Sequence, residues 1–326
     1  MNFTGNSILV IGDLILDEYV RGTSTRMSPE APVPVINIQG TPSFTYKLGG
    51  AGNVAANIAS LGGKASIISV LGTSSLNLEV TNLLYEKKID TAGLVHVRNR
   101  KTTVKTRILT NGQQIARLDS EDTHAIDEET QRDICRKIET GVGPCGAIIL
   151  SDYQKGMLTP AVVQAACAAA GLYKIPLFID PKTRNATAHT HAAADAVTVL
   201  TPNLREAEAL NGHPIRTERE LEDAGRYILA RYKCRYLLIT RGEDGISLFE
   251  NSNSGRPEDV FVEHIPTEAK EVFDVSGAGD TVIAVLALGY ASGLSMSSAA
   301  RLANKAAGIV VGKSGTATVT AEELLR

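Results

Sequence analysis

The stretch Asp274-Val275-Ser276-Gly277-Ala278-Gly279-Asp280-Thr281-Val282-Ile283-Ala284-Val285-Leu286-Ala287-Leu288-Gly289 joins small residues, Ser276 to Gly279, to an apolar run of helical length. Such a loop lets backbone N–H groups approach a phosphate unobstructed, and the helix N-terminus adds a partial positive charge. Asp280 falls in the first turn, beside that anion site. A carboxylate there can accept a hydroxyl proton while the amides stabilise charge on a transferred phosphoryl group. Taken alone, the same stretch also reads as a helix capped by an aspartate. No GK[ST] follows the glycines and no GxGxxG is complete, so neither a Walker A loop nor a dinucleotide fingerprint is present.

Outward from this helix start, short apolar strands alternate with helical patterns. The strands are Ala65 to Gly72, Gly146 to Asp152, Ile175 to Pro181, Ala196 to Asn203 and Tyr236 to Gly242. Between them lie the helical patterns Asn53 to Leu61, Thr159 to Ala170 and Glu218 to Arg231. That alternation predicts an α/β fold, an open and mostly parallel sheet with helices on both faces. The first strand, Ile8 to Asp13, runs into a β-rich insertion instead of a helix, which argues against a nicotinamide dehydrogenase. Val33 to Ile38, Ser43 to Leu48 and Lys101 to Asp119 read as further strands, the last carrying the hairpin signal Asn111-Gly112. Residues 1–326 thus read as one domain, with a small β lid from about 14–48 and 98–119. Ligands gather at the carboxyl ends of parallel strands, so the loops after Ser151, Asp180, Thr201 and Thr240 are where chemistry is expected.

Composition narrows the partners. With 33 basic and 36 acidic residues the net charge is -3. There is no basic arm for nucleic acid and no acidic tail. No apolar run approaches the roughly 20 residues of a membrane span, and the N-terminus lacks the pattern of a secretory signal. The four cysteines form no CxxC pair. Reduced, buried thiols of a cytoplasmic protein are expected.

These motifs resemble those of the PfkB carbohydrate kinases. Gly277-Ala278-Gly279-Asp280-Thr281 before an apolar helix is similar to the family's C-terminal signature. Gly49-Gly50-Ala51-Gly52-Asn53-Val54-Ala55-Ala56-Asn57, leading to Leu61-Gly62-Gly63, is similar to its N-terminal signature. Asn203-Leu204-Arg205-Glu206 matches its NxxE motif, whose side chains organise Mg²⁺ and its waters at nucleotide phosphates. The three stand in family order across most of the chain. The resemblance implies an ATP-dependent sugar kinase of ribokinase-like fold, with Asp280 as base and the amides of Gly277, Ala278 and Gly279 as anion hole. Asp13 or Asp17 would be the sugar-contacting acid, and Gly49, Gly50 and Asn53 would hold sugar hydroxyls. Asn203, Leu204, Arg205, Glu206, Thr240, Arg241, Gly242 and Asn304 would border ATP. Asn203 and Glu206 would serve Mg²⁺, partly through water, and Lys313 to Thr316 would close the adenine side. Asp274 and that last loop resemble the monovalent-cation (K⁺) site of some members.

Arg26-Met27-Ser28-Pro29-Glu30-Ala31-Pro32-Val33-Pro34-Val35 resembles the heptose kinases of lipopolysaccharide core synthesis, as do Ser151 to Gly156 and Asp180 to Lys182. That implies phosphorylation of the anomeric hydroxyl of D-glycero-β-D-manno-heptose 7-phosphate. A substrate already carrying a phosphate needs cations. Arg26, Lys105, Arg107, Lys155 and Lys182 are the candidates, with Lys182 foremost and Lys155, beside Asp152, next; each is equally readable as a solvated surface charge. Many heptose kinases are fused to a nucleotidyltransferase; no HxGH occurs here, so the sequence reads either as a stand-alone kinase, whose pathway partner would be a separate adenylyltransferase, or as a piece of a longer chain. The exposed edges of a small sheet suggest a homodimer through the lid. A PfkB kinase for another sugar, sugar phosphate or nucleoside, and a non-catalytic sensor, remain the alternatives.

Overall fold

Ile8 to Ile11 are apolar at every position because the strand they form is covered on both faces. In this computed structural model, which describes residues 3–38, 44–111, 113–143, 145–182, 197–252, 259–269 and 271–326, Ile8 and Val10 face one core and Leu9 and Ile11 the other. The strand is β1 (Ser7–Gly12). Running outward from it, β5 (Lys64–Leu71) and β6 (Asp90–His96) lie on one side, and β9 (Ala147–Ser151), β10 (Leu177–Asp180), β11 (Val197–Leu200) and β12 (Tyr236–Thr240) on the other, all parallel. An antiparallel hairpin, β13 (Ile246–Glu250) and β14 (Phe261–Ile265), which the sequence patterns did not single out, completes nine strands.

Helices α1 (Ala51–Ser60), α7 (Ala278–Ala291) and α8 (Met296–Val310) cover one face. Helices α3 (Glu128–Gly141), α4 (Pro160–Tyr173), α5 (Leu204–Asn211) and α6 (Glu218–Tyr232) cover the other. The small helices α2 (Asn77–Glu86) and α9 (Ala321–Leu325) flank the first face. α7 is buried from Asp280 to Gly289, as its unbroken apolar sequence requires. Its first turn is therefore anchored in the core.

A second sheet of five strands stands on the first. Its central strand, β2 (Leu14–Met27), pairs with β3 (Pro34–Asn37), β4 (Phe44–Gly50) and β7 (Thr103–Thr110), and β7 pairs with β8 (Gln113–Ser120). The two β-rich stretches of the sequence are thus joined through the parallel β2–β7 ladder. Asn111 takes the left-handed φ of 50° that the hairpin signal predicted, while Gly112 lies outside the described residues. Among the described residues no helix is long and apolar enough to cross a membrane.

Candidate active site

The first turn of α7 leaves its N–H groups without intrahelical acceptors. Gly277 caps it at φ 80°, and a Cβ there would lie 2.5 Å from Asn53 Nδ2, so only glycine fits. Asp280, 2% exposed, projects from this turn. Its Oδ1 accepts from Tyr153 Oη at 2.5 Å and its Oδ2 from Asn53 Nδ2 at 2.9 Å. Burial pushes its pKa up to about 6, held down in part by those two hydrogen bonds and by the Lys182 charge. It is a carboxylate poised near neutrality, as a general base should be.

Tyr153 was not singled out by sequence, although its strand-end loop was. Asp13 explains its position. The Asp13 carboxylate accepts from the backbone N–H of Tyr153 at 2.9 Å, Lys155 at 3.0 Å and Met157 at 3.3 Å. Arg100 grips the same loop from the other side, donating to the Lys155 carbonyl and, at 3.0 Å, to the His124 carbonyl. Asp13 is thus committed to the loop that presents Tyr153. Asp17 is the acid that faces Gly49: a Cβ on Gly49 would come within 2.6 Å of Asp17 Oδ2. Gly50, at φ 56°, turns the chain into α1 and so aims Asn53.

Two cavities meet at α7. The smaller, about 190 Å³, is bordered by Tyr153, Asp180, Lys182, Asn203, Glu206 and Gly279. The larger, about 530 Å³, is bordered by Thr240, Gly242, Asn304 and an apolar wall including Val272, Val275 and Val311. An apolar cavity beside a polar one suits a nucleotide base followed by its phosphates.

Several expected site residues are placed differently. Asn203 and Glu206 form a reciprocal cap on α5, Asn203 Oδ1 accepting from Glu206 N at 3.0 Å and Glu206 Oε2 from Asn203 N at 2.8 Å. Leu204 and Arg205, between them on the first turn, point away from both cavities, Arg205 into solvent. Arg241 turns back to donate to the Asp244 carbonyl at 2.8 Å. Asp152 is buried and accepts from Gln154 N at 2.7 Å, shaping the loop. Lys182 pairs with Glu206 at 2.9 Å and lies 5.2 Å from the Tyr153 ring centre, which puts it in the smaller cavity and not under the lid. Lys105 bridges Asp119 at 3.1 Å and Glu121 at 3.2 Å, and Lys155 reaches Glu121 at 2.6 Å, so their charges are already matched. Arg26 sits nine positions beyond Asp17 on β2, about 30 Å away along the strand.

The loop expected at the adenine side also moves. Thr316 donates to Asp17 at 3.2 Å, and its N–H to Tyr19 Oη at 3.1 Å, so 313–316 turns toward the lid. Lys313 instead pairs with Glu323 at 2.7 Å. Asp274 accepts from Ser276 N and Gly315 N, both at 2.9 Å, and Lys47 donates to the Ser314 carbonyl at 2.6 Å. Those oxygens are spent on protein partners, which does not fit a monovalent-cation site. Mg²⁺ fares better. Asp180 offers a hard oxygen donor at the smaller cavity, Glu206, already held by Lys182 and the Asn203 N–H, would reach the ion through water, and Mg²⁺ needs only one or two carboxylates beside phosphates and water. Burial, partly countered by the Lys182 charge, raises the Asp180 pKa; a bound cation would reverse this.

A pH dependence follows from Asp280. A general base at this position would work ionised, so kcat/KM should fall as pH drops through about 6. Tyr153→Phe removes a hydrogen bond that favours the ionised form, so the acid limb should move to higher pH. A pH–rate profile of both enzymes checks this, and an unmoved limb would separate Tyr153 from the base.

Solved structures with this fold include ribokinase from Arabidopsis thaliana complexed with ribose and ATP, 19% identical, covering 100% of this chain and 98% of that one at TM-score 0.72. Phosphofructokinase-2 from Escherichia coli in complex with substrates and products is 18% identical, covering 98% and 97% at TM-score 0.80. Fold, site and family together define an ATP-dependent sugar kinase. The pattern of the pfkB family of carbohydrate kinases matches residues 7–323, and the chain belongs to that family. Among curated relatives, the bifunctional protein HldE of Citrifermentans bemidjiense is 43% identical over 97% of this chain. This chain spans 62% of that relative's length.

Proposed function

We propose that this chain transfers the γ-phosphoryl group of ATP to the anomeric hydroxyl of D-glycero-β-D-manno-heptose 7-phosphate, giving the 1,7-bisphosphate. The observation that carries the reading is the 43% identity to an HldE protein across 97% of this chain, together with the heptose-kinase-like stretch Arg26 to Val35. Asp280 takes the proton of the acceptor hydroxyl as its oxygen bonds the γ-phosphorus and the bond to ADP breaks. The amides of Gly277 and Gly279 face the charge on the transferring group, while that of Ala278, expected beside them, donates to the Val275 carbonyl at 3.3 Å and would have to let go to join them. Lys182, in the same cavity, neutralises phosphate charge, and Tyr153 and Asn53 hold the base in line. Mg²⁺, held beside Glu206 and Asp180 partly through water, would supply charge neutralisation at the β- and γ-phosphates. Thr240, Gly242 and Asn304 border the nucleotide, and Asp17, Gly49 and Gly50 frame the sugar.

Adenylyl transfer to the product falls to a separate nucleotidyltransferase unit in this reading. Met27, Phe44 and Leu118, apolar yet 57%, 43% and 58% exposed on the lid, support a homodimer through it; sedimentation as a monomer at micromolar concentration would remove that part. The deciding assay is ATP turnover with heptose 7-phosphate, fructose 6-phosphate and ribose, with and without Mg²⁺. Mg²⁺-dependent turnover of heptose 7-phosphate alone is expected. Turnover of another sugar only would keep the kinase and discard the substrate, and silence with all three would point to a sensor.

A further inference from the structure

Three cations surround one tyrosine on the lid. Along β2 the side chains of Asp17, Tyr19 and Arg21 share a face, since strand side chains alternate. The neighbouring ladders bring Lys47 opposite Asp17 on β4 and Arg107 opposite Tyr19 on β7. Arg21 and Lys47 each lie 5.6 Å from the Tyr19 ring centre, and Arg107 lies 5.4 Å from it.

The charge on this face is not balanced. Arg107 pairs with Asp17. Lys47 is hydrogen-bonded to a neutral carbonyl, that of Ser314, and Arg21 to a neutral hydroxyl, Thr45 Oγ1, at 2.5 Å. Among the described residues neither has a carboxylate within ion-pair distance. Asp274, the next acid to act on Lys47 and Arg107, leaves one positive charge in excess, and Lys87 adds another from the flank. Lys47, half-buried among these charges, is held below the ordinary lysine range by desolvation and by Arg21. Like charges crowded on one partly buried face are unfavourable without a counter-ion.

The face also adjoins the chemistry. Thr316 touches Asp17 and Tyr19, and a Cβ on Gly277 would lie 3.3 Å from its methyl group. The cluster is thus one residue away from the anion hole, on the lid side.

We infer that Arg21, Lys47 and Arg107, arrayed on Tyr19, form the site for a phosphate dianion carried by the acceptor sugar. This rests on the reading of the acceptor as a sugar phosphate and names the residues that select it. With Lys87 counted in and Asp17 and Asp274 counted against it, the site carries two positive charges in excess, matching the charge of the group, and Arg107 turns between Asp17 and the phosphate.

The test uses the whole chain and the variants Lys47→Met and Arg21→Gln, with Lys47→Arg as the conservative control. Steady-state kinetics with the best phosphorylated acceptor is run with and without inorganic phosphate. Each neutral variant should raise KM for that acceptor roughly ten- to a hundredfold, leave kcat within about threefold, and weaken competition by inorganic phosphate. Lys47→Arg should restore most of the loss. An unchanged KM in both neutral variants, with the wild type turning over heptose 7-phosphate, overturns the cluster while the proposed function stands. A wild type that turns over only unphosphorylated sugars overturns both.

Discussion

Replacing Asp280 with Asn is expected to leave ATP binding intact while lowering kcat by several orders of magnitude. The amide keeps the size of the carboxyl group and can still meet Tyr153 and Asn53, so the pocket survives and only the proton acceptor is lost. A variant retaining more than about a tenth of wild-type turnover would remove Asp280 from the base role. The same substitution should make the protein more stable at neutral pH. The carboxyl is raised from 3.8 to about 6 on folding, chiefly by burial. A raised acid stabilises the fold below its unfolded pKa, and that contribution is lost as pH rises through about 6. Above that pH the ionised group costs on the order of 3 kcal/mol, which Asn does not carry. Melting curves at pH 5 and pH 8 should therefore show a gain roughly twice as large at pH 8. A variant that is inactive and also less stable at pH 8 would mean that the fold, not the base, had been damaged.

Asp13→Ala should be the most damaging change away from the reacting atoms. Three backbone N–H groups, of Tyr153, Lys155 and Met157, would lose their acceptor. Each buried unsatisfied donor costs about 1–3 kcal/mol. Losing a buried carboxylate also relieves its own desolvation, which is what raises the Asp13 pKa, so the net loss is expected to be about 3 kcal/mol. Activity should fall with it, because the freed loop carries Tyr153. Denaturant unfolding and turnover together decide the matter. A variant as stable as the wild type, with altered KM for the sugar alone, would return Asp13 to direct sugar contact.

The legible parts were those encoded within one short segment. Small residues followed by an apolar run announce the start of α7, and each parallel strand is a continuous apolar run. What depends on residues far apart was hidden. Lys182 follows Asp180 at a strand end, but its partner Glu206 comes from the cap of α5, which sends it to the smaller cavity. Lys105 and Lys155 look available until Glu121 is brought between them. Asn203 and Glu206 satisfy a helix-capping rule as well as a metal motif, and no sequence pattern separates the two. The distal half of β2, Arg21 to Met27, is polar because it is solvated, so it does not read as a strand. The apolar wall of the larger cavity is scattered over valines that resemble ordinary core.

β1 ends at Gly12 and β2 begins at Leu14, leaving Asp13 alone at the first of the chain's crossings between the two sheets. That joint residue is also the clamp on Tyr153, the hydrogen-bond partner of Asp280. An attempt to transplant another kinase's lid onto this chassis would have to splice beyond Asp13, at Leu14 or later. A graft that carried the joint along would bring a foreign grip on the catalytic loop, and the hybrid would inherit new recognition with a misaligned engine.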